Sequence, residues 1–356
     1  MRRTLLTTAA LLAPSLAAAQ DRYEGLDAVE IVDVIGTVEI VFSDQDDVVV
    51  ETVRRGDRPV AARERGGALI LRGPDRVDEE AFWDAYHPGL RVGPWRMTGR
   101  SIRVTNGRDR RFEELLEDYP RVVIRAPRGT TLSVEGSAVL LTAEGEAGDL
   151  DVPGNVYLRG VLGEVGAARV TLTDPGALTM GDVDGAAEIA VTGSGDVTFG
   201  RADEASVSVR GSGDVEGGDV DGALSVDLAG SGDVSAGRVG GALTVSLRGS
   251  GDVVVQEAAG GAGIALAGSG DVEVARVGGA VRAELRGSGD IDIGAGRADS
   301  FVAVLAGSGD IAFDGVAVAP ELSAAGSGDI DIGKAEGTVS ASGRGITVGG
   351  KRYGER

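Results

Sequence analysis

The chain has no cysteine, one histidine (His87) and two lysines (Lys334 and Lys351). Without cysteine there is no disulfide, no thiolate metal site and no cysteine to carry a lipid anchor. Arginine supplies nearly all the positive charge, a bias read here as coding rather than function. Basic residues are outnumbered overall, and the net charge is −21, or about −23 once Arg2 and Arg3 are removed with a leader. That balance argues against nucleic acid and anionic membrane surfaces as partners, because both want basic patches. It favours solubility, cations or basic partners. Long apolar runs are missing after residue 19, so no transmembrane segment is expected in the mature chain.

What the chain has is glycine, 59 of 356 residues, and a repeat. Gly-Ser-Gly-Asp followed by Val or Ile begins at Gly193, Gly211, Gly230, Gly249, Gly268, Gly287, Gly307 and Gly326, at intervals of 18 to 20 residues. Near-identical copies at a fixed period signal a repeat architecture. Within one unit, Leu243, Val245, Leu247, Gly249, Gly251, Val253 and Val255 share one parity, and Thr244, Ser246, Arg248, Ser250 and Asp252 share the other. Alternation at every second position predicts a strand with one buried face, not a helix. Gly-Ser-Gly supplies a corner, where glycine tolerates close approach and unusual dihedrals. A second corner follows at Val239-Gly240-Gly241 and its echoes.

A unit of this size holds two or three short strands and cannot bury its apolar face alone, but it can on the coils above and below. The expected fold is therefore all-β, a parallel β-helix (solenoid) of about 19 residues per coil. The right-handed form is favoured because crossovers between parallel strands are overwhelmingly right-handed.

The position before the motif alternates: Arg210, Ala229, Arg248, Ala267, Arg286, Ala306. It faces outward, and arginine on adjacent coils would stack like charges at strand spacing. Skipping a coil avoids this and lets each guanidinium reach carboxylates on two coils.

In chain order, Met1 to Ala19 reads as a secretory signal: Arg2 and Arg3, an apolar core from Leu5 to Leu16, and small residues at Ala17 to Ala19. The mature protein should begin near Gln20 and reside in the periplasm or outside the cell. Residues 20–135 hold N-terminal β rungs and a cap, and regular repeats run through 136–350 with a short tail at 351–356. Gly136-Ser137-Ala138-Val139 and Asp174-Pro175-Gly176-Ala177-Leu178 are degenerate copies of the motif, and Ser342-Gly343-Arg344-Gly345-Ile346 is a decaying one. Atypical terminal repeats suit a solenoid, which must cover its ends.

Residues 74–120 leave the pattern. They hold His87 and six aromatics: Phe82, Trp83, Tyr86, Trp95, Phe112 and Tyr119. Short helices are expected over 78–86 and 111–119, the second ended by Pro120. One reading is a cap whose aromatics pack on the first rung. The other is a binding loop in which Trp83, Tyr86, His87 and Trp95 stack on a ligand and Arg91, Arg96 and Arg100 meet its acidic groups.

The Gly-Ser-Gly-Asp array, the strands within residues 31–53, and Val122-Val123-Ile124-Arg125-Ala126-Pro127 leading to the first Gly-Ser resemble the adhesin family called the head GIN domain, over roughly residues 23–332. The resemblance implies a secreted bacterial β-helical protein with an adhesive or envelope-associated role. It implies no reaction.

Three function classes follow: a noncatalytic binding or structural module, a calcium-dependent module, and an enzyme acting on polysaccharide, the last by fold analogy alone. The carboxylates repeat on every coil, whereas a catalytic pair would be a singular departure, so no enzyme and no catalytic residue is expected. The motif aspartates, among them Asp214, Asp233, Asp252, Asp271 and Asp290, form a ladder. Neighbours at strand spacing repel by roughly 0.9 kcal/mol in water and about 3.5 kcal/mol at an effective dielectric near 20. Backbone N–H groups of the turn relieve this in one reading, with help from Arg210, Arg248 and Arg286. Bound Ca2+ relieves it in another. The partner expected for a noncatalytic module is an extracellular or envelope glycan or protein, and no cofactor is required.

Overall fold

The computed structural model of the protein describes residues 20–86, 112–173 and 175–354. It is nearly all β, a parallel solenoid of about 11 turns in which strands stack about 19 residues apart. Among the described residues the strands form two sheets, of 17 and 15 strands.

One coil shows how the sequence builds it. Strand Leu243–Leu247 buries Leu243, Val245 and Leu247 and leaves Thr244 and Ser246 outside. The chain turns through Gly249-Ser250-Gly251-Asp252 and continues as Val253–Ala258, burying Val253, Val255 and Ala258. The two-residue alternation slips between Val255 and Ala258, so this strand bends and offers the core a third short face. A second corner leads to Ala262–Leu266, which pairs in parallel with Leu243–Leu247: Val245 lies beside Ile264 and Leu247 beside Leu266. Inward residues thus form continuous columns. Burying each Val, Leu or Ile contributes roughly 1.5–3 kcal/mol.

The corner glycines differ from expectation in one respect. None of the motif glycines has a positive φ. What they supply is closeness: a Cβ on Gly251 would collide with the carbonyl oxygen of Gly232, and one on Gly249 with that of Gly230. Coils at the motif corner rest backbone on backbone.

The entry region is ordered differently. Its strands are β1 (Gln20–Glu24), β2 (Ala28–Val32), β3 (Ile35–Ser43), β4 (Asp47–Arg54), β5 (Ala61–Arg65), β6 (Ala68–Arg72), β7 (Arg121–Pro127), β8 (Thr131–Glu135), β9 (Ala138–Glu144), β10 (Leu150–Gly154) and β11 (Tyr157–Leu162). In one sheet β3 pairs in parallel with both β9 and β7. In the other, β2 lies between β8 and β6. The first coil of the chain is therefore clamped between coils made later. Antiparallel strands close this end: β4 on β7, β1 on β4, and β5 on β6. At the far end Lys351–Tyr353 runs antiparallel to Ile346–Val348. Paired, charged edge strands of this kind discourage further strand addition.

A buried polar knot fixes the first corners. Ser137 Oγ accepts from Val34 N–H (3.0 Å) and donates to Glu135 O (2.8 Å). Asn155 Oδ1 accepts from Ser137 N–H (2.9 Å), and its Nδ2 donates to Val134 O (3.0 Å). Every group in this knot has a partner, as burial requires.

Candidate binding site

The aromatic insertion leaves the solenoid after β6 and returns at β7. Asp78 caps helix α1 (Glu79–Tyr86), its Oδ1 accepting from Ala81 N–H at 2.9 Å. A second short helix, α2 (112–116), ends where Arg54 of β4 donates to the carbonyls of Leu116 (2.6 Å) and Tyr119 (2.8 Å). A cation there satisfies carbonyls that the helix leaves unpaired.

The two helices land on the outer face of the first sheet, not over the end of the solenoid. Ile35, Ala138 and Tyr157 are outward-parity residues at the starts of β3, β9 and β11. They are buried with Val77, Phe82, Phe112, Leu116 and Val156 in a core separate from the solenoid interior. Phe112 lies 4.1 Å from Tyr157 between ring centres, and Phe82 meets Phe112 edge-on at 6.2 Å. Such packing adds to the area these rings bury. The cap expected over the first rung is thus a lateral buttress across three rungs; the end itself is covered by β1, β4 and β5.

Of the residues expected to bind, Trp83 is half-buried at this root, 6.1 Å from Tyr157 and edge-on to it. Tyr86 is the last residue of α1. His87, Arg91, Trp95, Arg96 and Arg100 lie outside the described residues. The structure brings Trp83 together with Phe82, Phe112 and Tyr157.

The motif aspartates form the expected column on the exposed side of the corner. Each carboxylate reaches the next coil: Asp214 Oδ1 accepts from Asp233 N–H (2.9 Å), Asp233 from Asp252 (2.9 Å), Asp252 from Asp271 (2.8 Å), and Asp271 from Asp290 (2.8 Å). The turn N–H groups that the ladder needed are therefore those of the following aspartates. At the first rung, burial pushes the Asp196 carboxyl up against the opposing pull of this hydrogen bond, and the charge of Asp214 adds to the rise. Among the described residues, no three His, Cys, Asp or Glu side chains converge as metal ligands.

The alternating arginines act elsewhere than expected. Arg210 and Arg248, two coils apart, both grip Asp227 on the coil between, at 3.1 and 2.8 Å. Arg286 pairs with Glu284 on its own coil at 2.9 Å. So two guanidiniums share one carboxylate instead of one guanidinium spanning two, and the motif aspartates are left to the backbone.

Two further surfaces were not foreseen. Gly-Ser corners from Gly249 to Ser327 line a shallow groove of about 640 Å³, with Arg248 and Arg286 along it. The regular period of Gly-Ser was the available signal, since it places every serine hydroxyl in one row. At the root of the insertion, Arg76, Asp78, Glu79, Asn155 and Thr173 line a cleft of about 500 Å³. Nothing in the local sequence marks it.

Residues 121–259 match the family described as "Putative auto-transporter adhesin, head GIN domain". Over that stretch the chain resembles the head GIN adhesins. The matched stretch runs from β7 into the regular array and leaves out the aromatic insertion. A crystal structure described as that of "a putative adhesin" from Bacteroides fragilis is similar at 13% identity, covering 84% of this chain and 97% of its own, with a TM-score of 0.29. No curated protein matches the chain. Among the described residues, no helix is long and apolar enough to cross a membrane.

Proposed function

We propose that the protein acts outside the cytoplasm as a noncatalytic, adhesin-like binding module. The match of residues 121–259 to an adhesin-head family carries this reading. The leader-like start at Met1 to Ala19 supports export. The array supports a scaffold role, because its motif carboxylates recur coil after coil, whereas acid–base chemistry on a glycan uses a singular pair.

In this reading the solenoid holds the insertion at a fixed place on its flank. The partner is an envelope or extracellular glycan or protein, contacted by Trp83, Tyr86, His87, Arg91, Trp95 and Arg96. Flat aromatic faces suit sugar rings, and guanidinium groups suit acidic substituents on them. The buried core of Phe82, Phe112 and Tyr157 gives the segment a rigid root, which lowers the ordering cost of binding. Screening the chain from Gln20 onward against a glycan array and isolated envelope material tests the proposal. Trp95→Ala and Arg96→Ala should each weaken the captured interaction at least about tenfold, as expected of aromatic and arginine anchors, with thermal unfolding unchanged. Binding that both variants retain in full would remove the insertion from the site.

A further inference from the structure

We propose that two copies of this chain associate side by side and antiparallel, through one corner column of alternating charge. Over six coils the column reads Asp182, Arg201, Asp219, Arg238, Glu257 and Arg276, with Glu164 on the coil before and Ala295 on the coil after. Each of the six immediately precedes an inward residue, and those inward residues stack coil on coil: Val183, Ala202, Val220, Val239, Ala258 and Val277. Over these six coils the sign alternates at every coil, about 4.8 Å apart. Three acids and three bases make this six-coil stretch neutral in a protein of net charge −21, so two copies meeting along it repel little.

Among the described residues, only one ion pair forms within this six-coil stretch of the column. The carboxylates of Asp182 and Asp219 accept from the backbone N–H groups of Arg201 and Arg238, at 2.8 Å each. Arg238 pairs with Glu257 at 3.5 Å. Among the described residues Arg201 and Arg276 form no ion pair, and both are exposed.

A two-fold axis crossing the column between Asp219 and Arg238, perpendicular to the solenoid, makes it complementary to itself. Asp219 then faces the partner's Arg238, Arg201 the partner's Glu257, and Asp182 the partner's Arg276. The reciprocal contacts make six pairs, as an isologous interface requires. The neighbouring outward column fixes the register independently. It is acidic in its first half, Asp184, Asp203 and Asp221, and uncharged in its second, Gly240, Ala259 and Gly278. The same axis sets Asp184 against the partner's Gly278, Asp203 against the partner's Ala259 and Asp221 against the partner's Gly240. Sliding two coils to centre the axis between Arg201 and Asp219 would instead set Asp203 against the partner's Asp221, a like-charge contact.

Exposed ion pairs are individually weak and screened by salt, so the dimer should be weak and salt-sensitive. Sedimentation velocity on the chain from Gln20 onward should show a concentration-dependent dimer in low-salt buffer. Its dissociation constant should rise at least about tenfold at high salt, where screening is nearly complete. Asp219→Arg sets arginine against the partner's Arg238 twice and should abolish the dimer. Adding Arg238→Asp restores opposite charges across the axis and should bring it back, although it puts like charges side by side within each chain. Arg201→Glu, at a side chain with no ion pair of its own, should also abolish it and serves if Asp219→Arg folds poorly. A chain that stays monomeric at low salt overturns the proposal. So does a dimer that survives Asp219→Arg or Arg201→Glu, or one that the double exchange fails to restore.

Discussion

Residues 20–135 carry 18 basic and 23 acidic side chains, while residues 136–356 carry 15 and 33. The first region is nearly balanced; the second is strongly acidic. Their glycines differ as well. Gly25, Gly56, Gly66, Gly67 and Gly129 in the first region hold positive φ angles, whereas the motif glycines of the array hold none. In the entry region glycine makes turns that other residues cannot. At the motif corners of the array it lets one coil touch the next, although elsewhere in the array Gly261, Gly279 and Gly296 also hold positive φ. The core differs as well: the regular coils have one interior, and a second core forms on the outer face of a sheet where Phe82, Phe112 and Leu116 of the first region meet Ala138, Val156 and Tyr157 of the second. The lesson is that a repeat specifies its own stacking but not its own ends. The ends need antiparallel strands, a polar knot and an aromatic buttress, each built from residues that occur once.

That contrast can be broken most forcefully at the buttress. Phe112 is fully buried there, so Phe112→Ala should cost about 3–5 kcal/mol. Urea unfolding should show the loss in the tertiary signal of the aromatics, with the β signal of the array falling later. A single unchanged transition would mean the buttress does not stabilise the entry rungs.

The glycine contrast comes next. Gly251→Ala should cost about 3 kcal/mol, because the new methyl group drives the coil at Gly232 away. Gly66 has φ +63° and nothing within 4 Å of a Cβ, so Gly66→Ala should cost only about 1–2 kcal/mol, and Gly66→Asn less. Equal costs by denaturant midpoint would show that closeness is not what the motif glycines provide.

Smaller effects appear in the dependence on pH. Burial raises the Asp292 carboxyl above its usual 3.8, and Asp290, Asp271, Glu273 and Asp314 raise it further. The folded form thus holds this proton more tightly than the unfolded chain. Asp292 therefore gives stability back as pH falls from neutrality through its raised pKa toward 3.8. Glu284 is the opposite: the hydrogen bond from Arg282 holds it below its usual 4.5, against burial, with the charges of Arg282 and Arg286 assisting. Its contribution is present above 4.5 and lost as pH falls through the lowered pKa. Melting temperature against pH should show Asp292→Asn more stable than wild type at neutrality, with the gap closing in acid. Glu284→Gln should be less stable at neutrality, and that gap should close in acid too. Parallel curves for both variants would contradict these assignments.

The smallest expected change is at the motif column. Asp252→Asn keeps an oxygen for Asp271 N–H and removes one charge from the ladder. Its melting temperature should correspond to a change within about 0.5 kcal/mol. A calcium-dependent rise in the wild-type melting temperature, absent in this variant, would instead make the column a cation ladder.

Much of the fold was legible because its cause is periodic. Leu243, Val245 and Leu247 recur with Ala262, Ile264 and Leu266 one period later, and parity alone assigns them inward. The acidic side of the motif followed from the same parity. The order of the entry coils was not legible, since spacing does not say whether β7 stacks above β3 or below it. The buttress left a signal that parity reading passed over: Tyr157-Leu158 and Ala138-Val139 put two apolar residues in succession where one should face water. The alternating column was also readable, from charges recurring at the repeat interval. The partner proposed for the insertion is not written in a period, because recognition depends on residues that occur once.

The central claim is that the array is scaffold and the insertion is the site. Replacing residues 87–111 with a glycine–serine loop of equal length, while keeping α1 and α2, tests it directly. Binding to isolated envelope material and to the glycans captured by the wild-type chain would be measured alongside circular dichroism. The account predicts an unchanged β spectrum and melting temperature with binding lost. Full binding by the loop-replaced chain would contradict it and move recognition onto the solenoid itself.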